Sequence, residues 1–246
     1  DGALYIADMY RYIIEHPQWL PQNGKDELAA FWRHGDDKGR IYRISKTSDS
    51  SKSLPKSFAT LKPNIATLPS TAGWLRDKAE MLITWSKPTD LDGQLIAMAA
   101  DGPTPQARAQ AAWTLHLLGK MTPRICERLL IDPNPRVREQ GLIIAESFAT
   151  DDGLIKSMTA LASDDDAKVR LQLACSLSAF KDERTGAMLA SLMKRDSADP
   201  MISGAVLISA ATHIKALLKP EVVSTFDATG LASITRLVMN LKDESL

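Results

Sequence analysis

The chain has 246 residues, 44% of them hydrophobic and 24% charged, and its 30 Lys plus Arg balance 30 Asp plus Glu, so its formal net charge is zero. That length is enough to bury a substantial core, and the even charge balance argues against nucleic acid as the main partner, because phosphate binding rests on a basic footprint. No apolar run approaches the roughly 18 residues of a spanning helix, which predicts a soluble chain with no membrane insertion.

The chain opens on Asp1-Gly2-Ala3-Leu4 with neither an initiator Met nor a basic-then-apolar leader, as expected of a processed or excised piece. All four tyrosines (Tyr5, Tyr10, Tyr12, Tyr42) and two of the five tryptophans (Trp19, Trp32) fall in the first 42 residues. Within this part, Ala3–Ala7 and Arg40–Ile44 are β-prone runs opened by Asp1-Gly2 and Lys38-Gly39, and are expected to pair as antiparallel strands. Between them, Tyr10–His16 and Asp26–Arg33 have helical spacing, interrupted by Pro17, Pro21 and Gly24. Two strands alone are marginal in water, so residues 1–44 are expected to belong to a sheet completed elsewhere. The polar stretch Ser45-Lys46-Thr47-Ser48-Asp49-Ser50-Ser51-Lys52-Ser53 holds too little apolar surface to order itself, and residues 45–57 read as a linker.

From residue 58 to the C-terminus the pattern is helical and repeats. A small or apolar residue followed by Arg recurs at Leu75-Arg76, Ala107-Arg108, Val137-Arg138 and Val169-Arg170, with the arginines 32, 30 and 32 residues apart; a degenerate fifth copy centres on Ser203. Turn chemistry precedes each copy. In Thr104-Pro105, Asn134-Pro135 and Asp199-Pro200 a capping side chain stands before a Pro at the first helical position, where the missing N–H costs nothing. A further apolar helical stretch comes before each turn, at Leu91–Ala100, Ile125–Ile131, Leu154–Ala162 and Met188–Met193. About 30 residues per pair of helices predicts an all-α solenoid of five to six pairs, each stacked on its neighbours. Second helices are expected to begin near Thr71, Thr104, Asn134, Asp166 and Asp199, with an atypical closing pair around Pro220 and Leu231–Leu241.

The motif resembles the HEAT repeat, whose second helix opens with Asp, a short gap, Val-Arg and a small residue; Asp132 with Val137-Arg138 and Asp166 with Val169-Arg170 fit that pattern. The resemblance implies a right-handed superhelix and a structural ladder in which Arg76, Arg108, Arg138 and Arg170 meet turn groups such as Asp132 and Asp166. Two segments suggest a narrower likeness. Asp1-Gly2-Ala3-Leu4-Tyr5-Ile6-Ala7-Asp8-Met9-Tyr10-Arg11 and Gly39-Arg40-Ile41-Tyr42-Arg43-Ile44 look like the last blade of a β-propeller. Gly73-Trp74-Leu75-Arg76 onward and Ala107-Arg108 onward resemble the helices that follow that blade. The proteins in question, abundant in planctomycetes, join a glucose/sorbosone-dehydrogenase-like propeller to HEAT repeats and then to a c-type cytochrome. This resemblance implies an extracytoplasmic parent in which haem c sits in a separate domain and this chain is the connector, with protein as its partner.

Candidate chemistry is sparse. His16, His34, His116 and His213 lack metal-ligand spacing, and Asp164-Asp165-Asp166 lacks the 12-residue calcium loop with its closing Glu. Cys126 and Cys175 lie 49 residues apart without a Cys-x-x-Cys, and are expected to be buried free thiols. Tyr10, Tyr12, Trp19 and Trp32 suggest either a sugar-stacking surface or packing against a missing partner, and Asp8 a contribution to a propeller-centre site in the parent. No catalytic, cofactor-binding or metal residue is assigned. The reading is a non-catalytic scaffold; the alternatives are a free-standing protein-binding adaptor and, because HEAT-like repeats also occur in bilin lyases and a class of DNA glycosylases, a bilin-lyase-type enzyme.

Overall fold

A computed structural model describes residues 3–14, 16–45, 62 and 64–241, and the chain divides into two units, Asp1–Thr60 and Leu61–Leu246. Apart from Ser45, the expected linker lies outside the described residues.

In the first unit β1 (Leu4–Asp8) pairs antiparallel with β2 (Arg40–Ile44), in a register that sets Leu4 opposite Ile44 and Asp8 opposite Arg40. Both strands are exposed along nearly their whole length, and Ile13 is the one buried hydrophobic residue among the described part of this unit. The helix expected over Tyr10–His16 does not form. Tyr10 takes a left-handed φ of 51°, held by its N–H donating to Asp8 Oδ1 at 2.9 Å, and the Tyr12 N–H goes to His34 O at 3.2 Å instead of up a helix. The second expected helix is shifted towards the N-terminus: α1 spans Gln22–Leu28, a 3-10 turn follows at Ala29–Phe31, and Gly24 lies inside α1 instead of interrupting it.

The second unit is all helix. After a 3-10 turn at Ile65–Thr67 come α2 (Gly73–Ser86), α3 (Asp92–Asp101), α4 (Pro105–Leu117), α5 (Pro123–Leu130), α6 (Pro135–Ala145), α7 (Asp152–Met158), α8 (Ala167–Ser176), α9 (Glu183–Asp196), α10 (Pro200–Leu217), α11 (Pro220–Val223) and α12 (Ala228–Leu241). Most starts follow the capping chemistry, whereas α2, α3 and α11 begin without a side-chain cap, α2 at Gly73 after Ala72 and not on Thr71. Thr104, Asn134, Asp166 and Asp199 each accept a backbone N–H of the first turn of α4, α6, α8 and α10, at 2.9–3.1 Å for the closest bond. Thr122, Asp151 and Asp182 do the same for α5, α7 and α9. Each cap satisfies a donor that the helix geometry leaves over, worth about 1 kcal/mol.

Even-numbered helices α2, α4, α6, α8, α10 and α12 pack in succession to form one layer, while α3, α5 and α7 follow one another in the other, where the 3-10 turn Thr159–Ser163 passes the contact on to α9. Within a pair, α3 packs on α4, α5 on α6 and α9 on α10. One continuous core runs between the layers, from Leu68 and Ile83 through Leu115, Leu142, Leu173 and Leu189 to Leu217 and Ile234. Each such side chain contributes about 1.5–3 kcal/mol on leaving water. The all-α architecture with a small N-terminal hairpin thus follows from apolar faces that no single helix pair can bury alone.

Two sequence expectations change here. α10 is 18 residues long with mean hydropathy 1.3, so it is long and apolar enough to cross a membrane by composition; 44% of it is buried, against α8, α9 and α12. Cys126 is buried as expected, but Cys175 is exposed, because its neighbours Leu173 and Ala174 take the core-facing positions of α8.

Candidate functional site

The most regular polar structure in the molecule is a ladder at the layer edge. Arg108 on α4 donates through Nε and Nη2 to Asp132, at 2.6 and 2.8 Å, and through Nη1 to Gly102 O at 2.9 Å. Arg138 on α6 repeats this with Asp164, at 2.7 and 2.8 Å, and Asp132 O at 2.8 Å. Arg170 on α8 repeats it with Asp196, at 2.8 and 2.7 Å, and Asp164 O at 2.7 Å. Every arginine therefore bonds the turn of its own repeat through a carbonyl and the turn of the next through a forked ion pair. Their side chains are 9–17% exposed and those of the aspartates 4–9%. Forked bonding by Asp132 and Asp196 raises the affinity of Arg108 and Arg170 for their protons.

Asp166, expected on this ladder, stands elsewhere. It caps α8 and pairs with Arg136, which lowers its pKa, while Asp164 and Asp196 take the ladder position. For Arg138 and Arg170 the residue six positions back is a ladder aspartate, Asp132 and Asp164, whose carbonyl the arginine also grips; for Arg108 that residue is Gly102. In the fifth copy the position six residues after Asp196 is Ile202, buried, so the correspondence with Ser203 is off by one and no arginine occupies the rung. Arg76 bonds Ser70 O at 2.7 Å and, among the described residues, no carboxylate.

A second set of polar cross-links joins the even-numbered helices. Gln110 donates to Glu80, Trp113 Nε1 to Gln140 Oε1 at 2.9 Å, Ser176 to Glu146 at 2.6 Å and Ser209 to Ala174 O at 2.6 Å. Burial pushes the Glu80 carboxyl up despite the Gln110 bond. Gln110 and Gln140 each stand two residues after a ladder arginine, a spacing that could have signalled them; Gln172, at the same place on α8, donates to Ser176 of its own helix.

The four histidines stay apart. His116 is half-buried and lies edge-on to Trp113, with ring centroids 5.4 Å apart. His213 is buried at a kink inside α10, where φ is −120° and ψ 16°, and its ring nitrogens lie 3.1 Å from Leu177 O and 3.2 Å from Thr185 Oγ1. Thr185 in turn donates to Asp182 O. Nothing in the sequence signals this kink. Among the described residues no three His, Cys, Asp or Glu side chains gather as a metal site.

The first unit holds a hollow of about 590 Å³ lined by Tyr10, Tyr12, Arg33, His34, Asp37 and Lys38. Its shape comes from the turn: Gly35 has φ of 83°, and a side chain there would run into the Tyr10 carbonyl. Arg40 lies 4.4 Å from the Tyr10 ring centroid and Lys38 5.8 Å, on an aromatic face that attracts cations. Arg40 also pairs with Asp8 at 3.6 Å. Of the four aromatics singled out from sequence, Tyr10 and Tyr12 line this hollow; Trp19 is 76% exposed away from it, and Trp32 has its Nε1 buried without a hydrogen-bond partner among the described residues. Charged and aromatic groups in this arrangement can bind.

Comparison with known proteins gives one similarity. Residues 1–48 match the family model of a domain of unknown function, DUF7133, which covers the hairpin unit. No curated protein and no solved structure matches the chain.

Proposed function

We propose that the chain is a non-catalytic scaffold, in which the helical stack is a spacer and the N-terminal hairpin is its attachment surface. The observation that carries this is the hairpin itself. Leu4, Tyr5 and Ile6 on β1 and Ile41, Tyr42 and Ile44 on β2 are 42–73% exposed, on a two-stranded sheet with almost nothing buried beneath it. Two strands bearing that much apolar surface gain stability only when further β-structure covers them. The stack supports the reading from the other side, since its best-formed polar groups repeat once per helix pair and bond one another, as structural groups do. By the resemblance drawn from the sequence, the joined partners are a dehydrogenase-like propeller and a c-type cytochrome.

The adaptor alternative rests on exposed apolar residues of the stack such as Trp85, Ile131, Ile208 and Met239, but these stand singly on different elements, as surface apolar residues normally do.

The test has two arms. The purified chain is expected to self-associate with rising concentration in sedimentation and to become monodisperse on substituting Ile6→Lys with Ile41→Lys. It is also expected to show no dye-linked oxidation of sugars or alcohols. A wild-type chain that stays monomeric throughout, or turnover abolished by one substitution in this chain, would overturn the scaffold reading.

A further inference from the structure

The even-numbered helices carry four arginines at one structural position, and the chain completes the bonding of three. Arg108, Arg138 and Arg170 each turn the Nε and Nη2 edge to a carboxylate and Nη1 to a carbonyl six residues back. Arg76 reproduces the carbonyl half, with Nη1 donating to Ser70 O at 2.7 Å. Its Nε is buried and has no hydrogen-bond partner among the described residues. Asp132, Asp164 and Asp196 lie 24, 26 and 26 residues after their arginines, each six residues before the next rung position; the position six before Arg108, the rung after Arg76, is Gly102.

Position 102 could not supply the missing group without a backbone shift. A Cβ there would lie 2.5 Å from Met98 O and 2.9 Å from Met98 Sδ. Nor does the helix start cover the guanidinium, since residue 73 is also glycine, whose absent Cβ would sit 3.5 Å from Arg76 Nη2. Residue 73 beside Nη2 and residue 102, the rung position by register, are thus both glycine and offer no side chain. A buried N–H without an acceptor costs about 1–3 kcal/mol, and an uncompensated buried cation costs more. An acceptor reaching it offsets that cost on binding.

We propose that Arg76 is a carboxylate-binding site, its Nε and Nη2 edge taking a small carboxylate from outside the chain in the forked geometry that Asp132, Asp164 and Asp196 adopt at the other three rungs. A carboxylate is the ligand class because three equivalent arginines of the same stack each hold one, and it is small because Nε is enclosed. The inference stands on the bonding pattern of the stack and not on the scaffold reading.

The test is an NMR titration of the arginine Nε–Hε resonances of the whole chain with sodium acetate, against sodium chloride at equal ionic strength. Arg76 Hε is expected to shift downfield and saturate with acetate and not with chloride, while the Arg108, Arg138 and Arg170 resonances stay in place as internal controls. Acetate is also expected to raise the melting temperature of the wild type and not that of Arg76→Gln. Arg76→Lys keeps the charge but loses the fork, and is expected to lose most of the rise. If either variant fails to fold, the wild-type titration decides alone. An Arg76 resonance that stays still, moves without saturating, or follows chloride as it follows acetate overturns the proposal.

Discussion

Arg138 bonds the backbone carbonyl of Asp132 at 2.8 Å while the Asp132 carboxylate is held by Arg108, so one aspartate joins two arginines from successive helix pairs. Asp164 does the same between Arg138 and Arg170. These rungs are consequently coupled. Arg138→Ala leaves the Asp164 carboxylate, 6% exposed, without its partner and frees the Asp132 carbonyl. It should cost about 3 kcal/mol, in the range for breaking a buried pair. Arg76→Ala removes one hydrogen bond to a carbonyl, worth about 1 kcal/mol, together with the buried, unpartnered Nε, so the two effects offset and its net cost should be smaller than that. Urea denaturation of the two variants measures the difference, and equal losses would contradict the ladder as the source of stability.

Gly141 sits where α6 crosses α5, and a Cβ there would lie 2.8 Å from Leu129 Cβ. Helix propensity favours Gly141→Ala by about 1 kcal/mol, whereas overpacking costs about 1–3 kcal/mol. The second effect is expected to win, giving a lower melting temperature. A higher one would mean that the two helices separate without penalty.

Burial pushes the Cys126 thiol up to about 12, and its Sγ lies 3.3 Å from Gly141 O, to which it donates. Cys175 is exposed and its pKa is raised by partial burial and by Glu146. Iodoacetamide at neutral pH should therefore modify Cys175 in the folded chain and Cys126 only after denaturation, as mass spectrometry of the digested peptides will show. Prompt modification of Cys126 would mean that α5 and α6 open readily.

Asp182 caps α9 and accepts from Arg184, whose side-chain bond holds the carboxyl down at about 2 from an ordinary 3.8. A carboxylate whose folded pKa is depressed contributes stability above its unfolded pKa and loses it as pH falls through the folded value. Between pH 4 and pH 2 the wild type should therefore lose stability in excess of Asp182→Asn, whose amide does not titrate. Parallel acid-denaturation curves for the two would count against this pair.

How much was legible in the sequence depended on whether a feature repeated. Thr104, Asn134, Asp166 and Asp199 betray helix starts because capping is a local exchange between one side chain and a nearby N–H. The arginines stand out by type and spacing. Their partners do not: Asp164, Asp165 and Asp166 are equivalent as letters, and Arg170 bonds the carbonyls of both Asp164 and Asp165, so only the forked pair with Arg138 distinguishes Asp164. Tyr10 escapes for a related reason, since its apolar spacing reads as helix while Asp8 and His34, one of them distant in sequence, hold its segment in a non-helical path. The His213 kink depends on Leu177 and Thr185, which no periodicity connects to it.

Because each ion pair spans one junction between neighbouring repeats, a load applied along the stack passes through them in series, and strain gathers at the most compliant junction. Three consecutive junctions are braced, from Arg108 through Arg170 to Asp196. On one side of this stretch Gly102 stands at the rung position and Arg76 has no carboxylate among the described residues, and on the other Ile202 replaces the arginine. The helical unit is then a stiff middle between two springs, and bending or pulling it should open the Arg76 and Ile202 junctions before any of the three between them.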